Sequence, residues 1–386
     1  MSRLNLDHAS STTVVPQVRE AMLAALEIGN PSSIHEAGRK ARERVERTRR
    51  QVAGLIGAKA EEMYFTSCGT EANNWAIKGL FAANRRKGNH AIISAIEHPS
   101  VTLAAKRLQM DGADVTVLAV DGEGCVSPSE LKAALKPETV LVSIMLANGE
   151  VGTIEPIKEL AAVAHEHGAL FHTDAIAAVG HWPVDVRELG VDALSFAANQ
   201  FYGPQGAAAL FVREGARILP LLEGGGQEGG GRSGTENVAA IVGMGLAAEI
   251  AARELSQRMM RLSRLRDRLR DGLIARIANL RLNGSGTSRL PHNLHVCIDG
   301  AASESLVLGL DQAGIAVGLG SACNSKAMRP SHVLKAMGLT DEQAQGALVL
   351  TVGETTTEEE IDRALEIIPQ VVEKLRRVTR MTVRAS

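Results

Sequence analysis

The sequence predicts an α/β fold: a large domain with a mainly parallel sheet, and a smaller α+β domain. Two observations carry this. From about residue 15 to 255, amphipathic helical stretches alternate with short β-branched apolar runs, the pattern of parallel strands joined by helical crossovers. Beyond that, strands and helices follow one another without regular alternation. The expected domains are residues 15–255, and residues 1–14 together with 256–386. A chain of 386 residues, 45% of them hydrophobic, has ample apolar side chain for such cores.

Met1 to His8 is strand-like and lacks a basic start, an apolar stretch and a small-residue cleavage site, so a cytoplasmic location is expected. Large-domain strands are expected at His90–Ser94, Asp114–Ala119, Val140–Met145 and Leu170–Thr173. Ligands of such sheets collect at the carboxyl ends of the strands. The segments that follow these strands hold Glu97-His98-Pro99, Asn148-Gly149-Glu150 and Asp174-Ala175, which puts their polar groups on one rim. Gly224 to Thr235 is too rich in glycine for a simple turn and reads as a functional loop. A long helix then carries Met259, Leu262, Leu265, Leu269 and Leu273 at spacings of three and four, an apolar stripe for a core opposite a solvated arginine face. Strands at Leu294–Ile298, Ala316–Leu319 and Leu348–Val352 mix with helices at Ser303–Ala313, Ser331–Met337 and Glu358–Val378.

The 42 basic and 44 acidic residues leave a formal charge of −2, so nothing global points to nucleic acid or a membrane surface. The apolar runs fall far short of the roughly 18 residues a membrane helix needs. Cys68, Cys125, Cys297 and Cys323 are widely spaced, with no C-x-x-C pair, and signal neither a disulfide framework nor a metal site.

Ser195-Phe196-Ala197-Ala198-Asn199-Gln200-Phe201-Tyr202-Gly203-Pro204-Gln205-Gly206 looks like a cofactor-binding signature without its covalent anchor. Further motifs stand in order around it: Gly29-Asn30-Pro31-Ser32-Ser33-Ile34-His35, Thr66-Ser67-Cys68-Gly69-Thr70-Glu71-Ala72-Asn73-Asn74, Ser233-Gly234-Thr235-Glu236-Asn237 and Gly320-Ser321-Ala322-Cys323. Together they resemble the cysteine desulfurases of the NifS/IscS type, in the class V aminotransferase group, over nearly the whole chain. The resemblance implies the PLP-dependent aminotransferase type I fold, a pyridoxal phosphate (PLP) cofactor, and a homodimer that shares its sites between subunits.

Carried over by position, the resemblance makes Asp174 the partner of the cofactor's ring nitrogen and His98 the imidazole that stacks on the ring and shuttles protons. Cys68, Gly69 and Thr70 fall in the phosphate loop, and Thr235 would reach the phosphate across a dimer interface. Asn148 matches the asparagine near the phenolic oxygen, and Cys323 the persulfide nucleophile on a loop that serves acceptor proteins.

The departures from the family run through every part of the site. Gln200 takes the place of the Schiff-base lysine, and an amide nitrogen cannot condense with an aldehyde. Ala177 replaces a glutamine on the phenolic oxygen; Ala197 and Asn199 replace a phosphate-binding serine and histidine; Val349 and Glu354 replace two arginines, one of them the substrate-carboxylate clamp. The family's Gln-Glu-Arg-Gly becomes Gln227-Glu228-Gly229-Gly230, and a lysine becomes Gln205. Glu354, if near the site, would repel a carboxylate.

The expected function is therefore a desulfurase-like protein that no longer cleaves cysteine, with PLP absent or held non-covalently. Cys323 would act as a sulfur relay, or as a thiolate ligand of a shared iron–sulfur cluster, with a sulfur-acceptor or scaffold protein. Two alternatives stand: an active desulfurase with non-covalent PLP, and a pocket repurposed for another ligand, for which Glu354 and Cys68 are the motivating changes. Plainer readings stand beside the individual residues. Cys323 would be a small buried side chain, Cys68 an inert replacement for glycine, and His98 and Asp174 inherited polar groups in a vacated pocket. Cys125 and Cys297 read as structural, and His8 and His172 as packing or hydrogen-bonding residues.

Overall fold

The structure, a computed structural model, describes residues 3–320 and 330–385. In chain order its first part comprises β1 (Leu4–Leu6), α1 (Pro16–Leu23), α2 (Glu36–Leu55), β2 (Met63–Thr66), α3 (Gly69–Asn84), β3 (His90–Ser94), α4 (Pro99–Met110), β4 (Asp114–Leu118), α5 (Pro128–Ala134) and β5 (Thr139–Ser143). It continues with α6 (Ile157–Glu166), β6 (Leu170–Asp174), α7 (Val186–Leu189), β7 (Ala193–Ala197) and β8 (Ala208–Val212). Then follow α8 (Val238–Arg276), β9 (Leu280–Asn283), β10 (Asn293–Ile298), α9 (Ser303–Gln312), β11 (Ile315–Val317), α10 (His332–Ala336), α11 (Asp341–Ala344), β12 (Ala347–Thr351) and α12 (Glu358–Ala385).

The main sheet has seven strands in the order β2-β8-β7-β6-β5-β3-β4, as the α/β reading expects. Strands β3 to β7 pair in parallel, and β8 runs antiparallel to both its neighbours. β4 lies at the edge and β5 returns on the other side of β3, so the strand order reverses there and opens a crevice at the carboxyl ends. A three-stranded antiparallel sheet, β12-β10-β9, and the parallel pair β1-β11 form the second part. No helix among the described residues is long and apolar enough to cross a membrane.

Two local features position the site. β5 stops at Ser143, short of the expected Met145, because the Met145 N–H leaves the ladder and donates to the Glu97 carboxyl at 2.8 Å. α2 starts where the His35 ring accepts the Gly38 N–H. A Cβ at Gly38 would lie 2.2 Å from the Ser33 carbonyl oxygen, so this approach admits only glycine and ties the Gly29–His35 motif to the helix.

α8 runs for 39 residues straight through position 256. Its Ile241, Met244 and Ala248 pack in the core of the main sheet, whereas Leu262, Leu265, Leu269 and Leu273 pack with Leu4, Leu6, Leu294 and Leu348 in a second core. One helix thus belongs to both cores.

Candidate cofactor site

A cavity of about 640 Å³ opens at the carboxyl ends of β3, β5, β6 and β7. Of the residues expected at the site, Cys68, Gly69, Thr70, His98, Asn148, Asp174 and Gln200 all line it. Thr235 does not: it is exposed in the glycine-rich loop. Cys323 lies outside the described residues, although Gly320, three positions before it, is on the cavity wall. A second cavity, of about 700 Å³, lies between α2 and the glycine-rich loop, and none of the expected site residues lines it.

Asp174 ends β6 and is buried. Its Oδ1 accepts the Ile176 N–H at 2.9 Å, and its Oδ2 accepts from Asn73 Nδ2 at 2.6 Å. Burial raises its pKa, against which these hydrogen bonds and nearby His98 act. The same Asn73 nitrogen donates to Ser100 Oγ at 2.9 Å, and Ser100 Oγ lies 2.7 Å from His98 Nδ1. His98 caps α4, with Nδ1 accepting the Ser100 N–H, so a neutral ring carries its proton on Nε2. Asn73 thus links the acid and the imidazole. It lies within a recognised motif, but its pairing with a residue 101 positions away has no local signal.

Gln200 is a largely buried part of the cavity wall, where its Nε2 donates to the Ala9 carbonyl at 3.0 Å and stitches the N-terminal segment to the strand ends. Asn148 is committed to its own loop: Oδ1 accepts the N–H groups of Glu150 and Val151, and Nδ2 donates to the Ile96 carbonyl at 3.0 Å. Ala177, Ala197, Asn199 and Val349, at which the sequence is expected to depart from the family, all lie on the wall. Glu354 does not; it pairs with the buried Arg258, and its N–H donates to the Tyr202 hydroxyl, so the expected repulsion of a carboxylate is not placed in the cavity.

Glu97, Glu150 and His292 also line the cavity, and none carried a role in the motifs. Burial pushes Glu97 well above the usual carboxylate range and Glu150 up to about 8. His292 stacks on His181 with ring centroids 4.0 Å apart, and burial drives its pKa well down. His8 is buried against Gly353, and the ring nitrogens of His172 lie within hydrogen-bonding distance of Ser143 and Ser195. Among the described residues no cluster of His, Cys, Asp and Glu is arranged to hold a metal ion. Burial raises the Cys125 thiol to about 12 and the Cys297 thiol to about 11, in keeping with structural roles.

These residues match one part of PLP and not the rest. Asp174, held by Asn73, suits a protonated ring nitrogen, with His98 on the same wall. The first turn of α3, at Gly69 and Thr70, offers backbone N–H groups to an anion, and the close approach of Ile176 requires glycine at 69: a Cβ there would sit 2.2 Å from Ile176 Cδ1. The Gln200 amide forms no Schiff base, and Ala177 offers nothing to a phenolic oxygen. Among the described residues the cavity wall offers no lysine amine to hold PLP covalently.

The sequence matches the aminotransferase class-V family over residues 4–364. A cysteine desulfurase IscS of Methanosarcina thermophila is 46% identical over 98% of this chain and 94% of its own length. Cysteine desulfurase IscS 1 of Archaeoglobus fulgidus is 47% identical over 96% of this chain and 97% of its own. Among solved structures, a NifS-like protein superimposes with a TM-score of 0.90 at 35% identity, covering 96% of this chain and 99% of that one. The chain belongs to the class-V aminotransferase family, in its IscS/NifS cysteine desulfurase branch.

Proposed function

We propose that this protein handles sulfur on a desulfurase scaffold without a covalently held cofactor, as a homodimer that serves a sulfur-acceptor or iron–sulfur scaffold partner. The observation that carries the reading is Gln200, whose amide stands in the Schiff-base position and is bonded to Ala9. Val349 and Ala177 on the same wall support it. Cys323 is the sulfur carrier. Its thiolate attacks the outer sulfur of a donor persulfide, forms its own S–S bond and releases the donor as a thiol, so no oxidant is consumed. Alternatively, the same thiolate ligates iron in a cluster held by the partner.

The test is sulfur transfer from a small-molecule persulfide to the partner by wild type and Cys323→Ser, together with cluster assembly on the partner. Loss of both in the variant is expected; retention of both overturns the reading.

A second reading, an active cysteine desulfurase with non-covalent PLP, draws on the preserved Asp174–Asn73–Ser100–His98 chain and on relatives of 42–47% identity that bear the desulfurase name. Sulfide release from cysteine by purified protein supplied with PLP and a reductant separates the two: release supports the second reading and sinks the first.

A further inference from the structure

Gly320 and Ser331 flank the stretch of chain that bears Cys323, the first on the wall of the main cavity and the second at the cap of α10. Glu150 meets both of them. Its carboxyl comes so close to the Gly320 backbone that only glycine fits, since a Cβ there would lie 2.2 Å from Oε1. Ser331 Oγ accepts the Val333 N–H at 3.1 Å, and the Ser331 side chain also bonds to the Glu150 carboxyl. Glu150 is itself a fixed post. Its N–H donates to Asn148 Oδ1 at 2.9 Å, in the loop after β5, and its carbonyl accepts from Asn293 Nδ2 at 3.1 Å, on β10.

The groups around this carboxyl favour its neutral form. Burial pushes its pKa up to about 8, which the Ser331 contact only partly offsets. On β10, His295 Nε2 lies 3.7 Å from Oε1, but burial lowers that ring to about 3; the Cys297 thiol is held up at about 11, so neither is ionised at pH 7. Arg289 donates from Nη1 to the Val151 carbonyl at 2.9 Å, and on α10 the His332 Nε2 lies 3.0 Å from the Glu97 carbonyl oxygen. Asp7 meets Gly318 as Glu150 meets Gly320, with a Cβ there 2.9 Å from Oδ1, and burial raises its pKa as well. A carboxylate formed in such surroundings must part from its neighbours to reach water. We propose that Glu150 is a positioning residue for Cys323: its carboxyl, lodged between Gly320 and Ser331, sets the two points from which the intervening chain is held. Ionisation undoes the brace. This rests on the reading of Cys323 as sulfur carrier, and it deepens that reading by naming what places the thiol.

The test is tryptic cleavage of the full-length protein after Lys326, resolved by mass spectrometry and divided at each pH by cleavage after Lys87, which is exposed in the turn after α3. Between pH 7 and 9 a group with a pKa of about 8 goes from about one-tenth to about nine-tenths ionised, so the wild-type ratio is expected to rise about tenfold. Glu150→Gln keeps a neutral side chain of the same length and should hold the pH 7 ratio throughout. Glu150→Ala removes the brace and should show the high ratio at both pH values; if it fails to fold, the glutamine arm still decides the matter. A wild-type ratio that stays flat, or a glutamine variant that rises with the wild type, overturns the proposal. Neither a persulfide nor the partner takes part in the readout, so the brace and the sulfur-carrier reading fail separately.

Discussion

At Gln200 the side chain has a structural part: its amide, which cannot form a Schiff base, holds the N-terminal segment through Ala9. Gln200→Lys returns an amine to a wall that still has Asp174 and His98. We expect the variant to form a borohydride-reducible adduct with added PLP. Turnover of cysteine should nevertheless stay poor, because Val349 supplies no carboxylate fork. Charge-assisted hydrogen bonds contribute up to about 3 kcal/mol, roughly 100-fold in substrate capture. Absorbance titration and a sulfide assay across cysteine concentrations check both halves; efficient turnover at low cysteine would mean that another group takes the carboxylate. The residues that motif order made legible, Asp174, His98, Asn148 and Thr70, all reached one cavity. Glu97 and Glu150 were legible as rim residues and Asn73 as part of a motif, but their bonding partners, and the place of His292, come only from convergence of distant segments, for which one sequence carries no local mark. Glu354 went the other way, into a pair with Arg258 that replaces its expected place at the site.

Among the elements, α2 and the glycine-rich loop are joined by a buried fork. Arg49 Nη1 and Nη2 lie 2.7 and 2.8 Å from the two carboxylate oxygens of Glu228, and Glu228 also accepts the Phe65 N–H at 2.8 Å. The guanidinium packs over the Phe65 ring at 4.8 Å. Glu228 sits at φ 47°, left-handed backbone that a non-glycine residue holds only against a cost, so the pair fixes the loop's shape. Arg49→Ala leaves the carboxylate buried and unpaired, and should lower stability by about 3–5 kcal/mol. Arg49→Lys keeps the charge but loses the fork and should fall between wild type and alanine. Urea midpoints of the three proteins test the order; an unchanged midpoint for Arg49→Ala would show that the loop is held by other contacts. The sequence marked this loop by its glycines but not the partner that shapes it. The long helix was legible from its leucine stripe and not from its first half, where Gly243 and Gly245 argue against a helix. Both are there for close approach: a Cβ would lie 2.6 Å from Met22 at the first and 2.5 Å from Gln51 at the second, where α8 crosses α1 and α2.

For the molecule as a whole, two populations of buried titratable groups set opposite pH trends. Glu97, Glu150 and Glu155 bind protons more tightly folded than unfolded, with Glu150 pushed up to about 8 and Glu155 to about 7 by burial. Their folded pKa lies above the unfolded one, so stability falls as pH rises through the folded values. His172, His181 and His295 are driven down to about 3, 4 and 3, and His292 also well down, again by burial. The unfolded chain takes up these four protons near pH 6.5, so stability falls as pH drops below that value. Each such group contributes a slope of about 1.4 kcal/mol per pH unit within its window. Above about pH 6.5 only the acids act, and acidification stabilises; below it the histidines, with His8 and His90 also lowered, make six against five raised carboxyls once Asp7 and Asp174 are counted, and acidification destabilises. Stability should therefore peak at about pH 6–7 and decline on both sides. Urea unfolding at pH 5, 6.5 and 8.5 measures this, and Glu150→Gln, which removes an acid pushed up to about 8, should flatten the decline between 6.5 and 8.5. A midpoint that climbs steadily to pH 8.5 would show that these carboxyls are ionised in the folded protein.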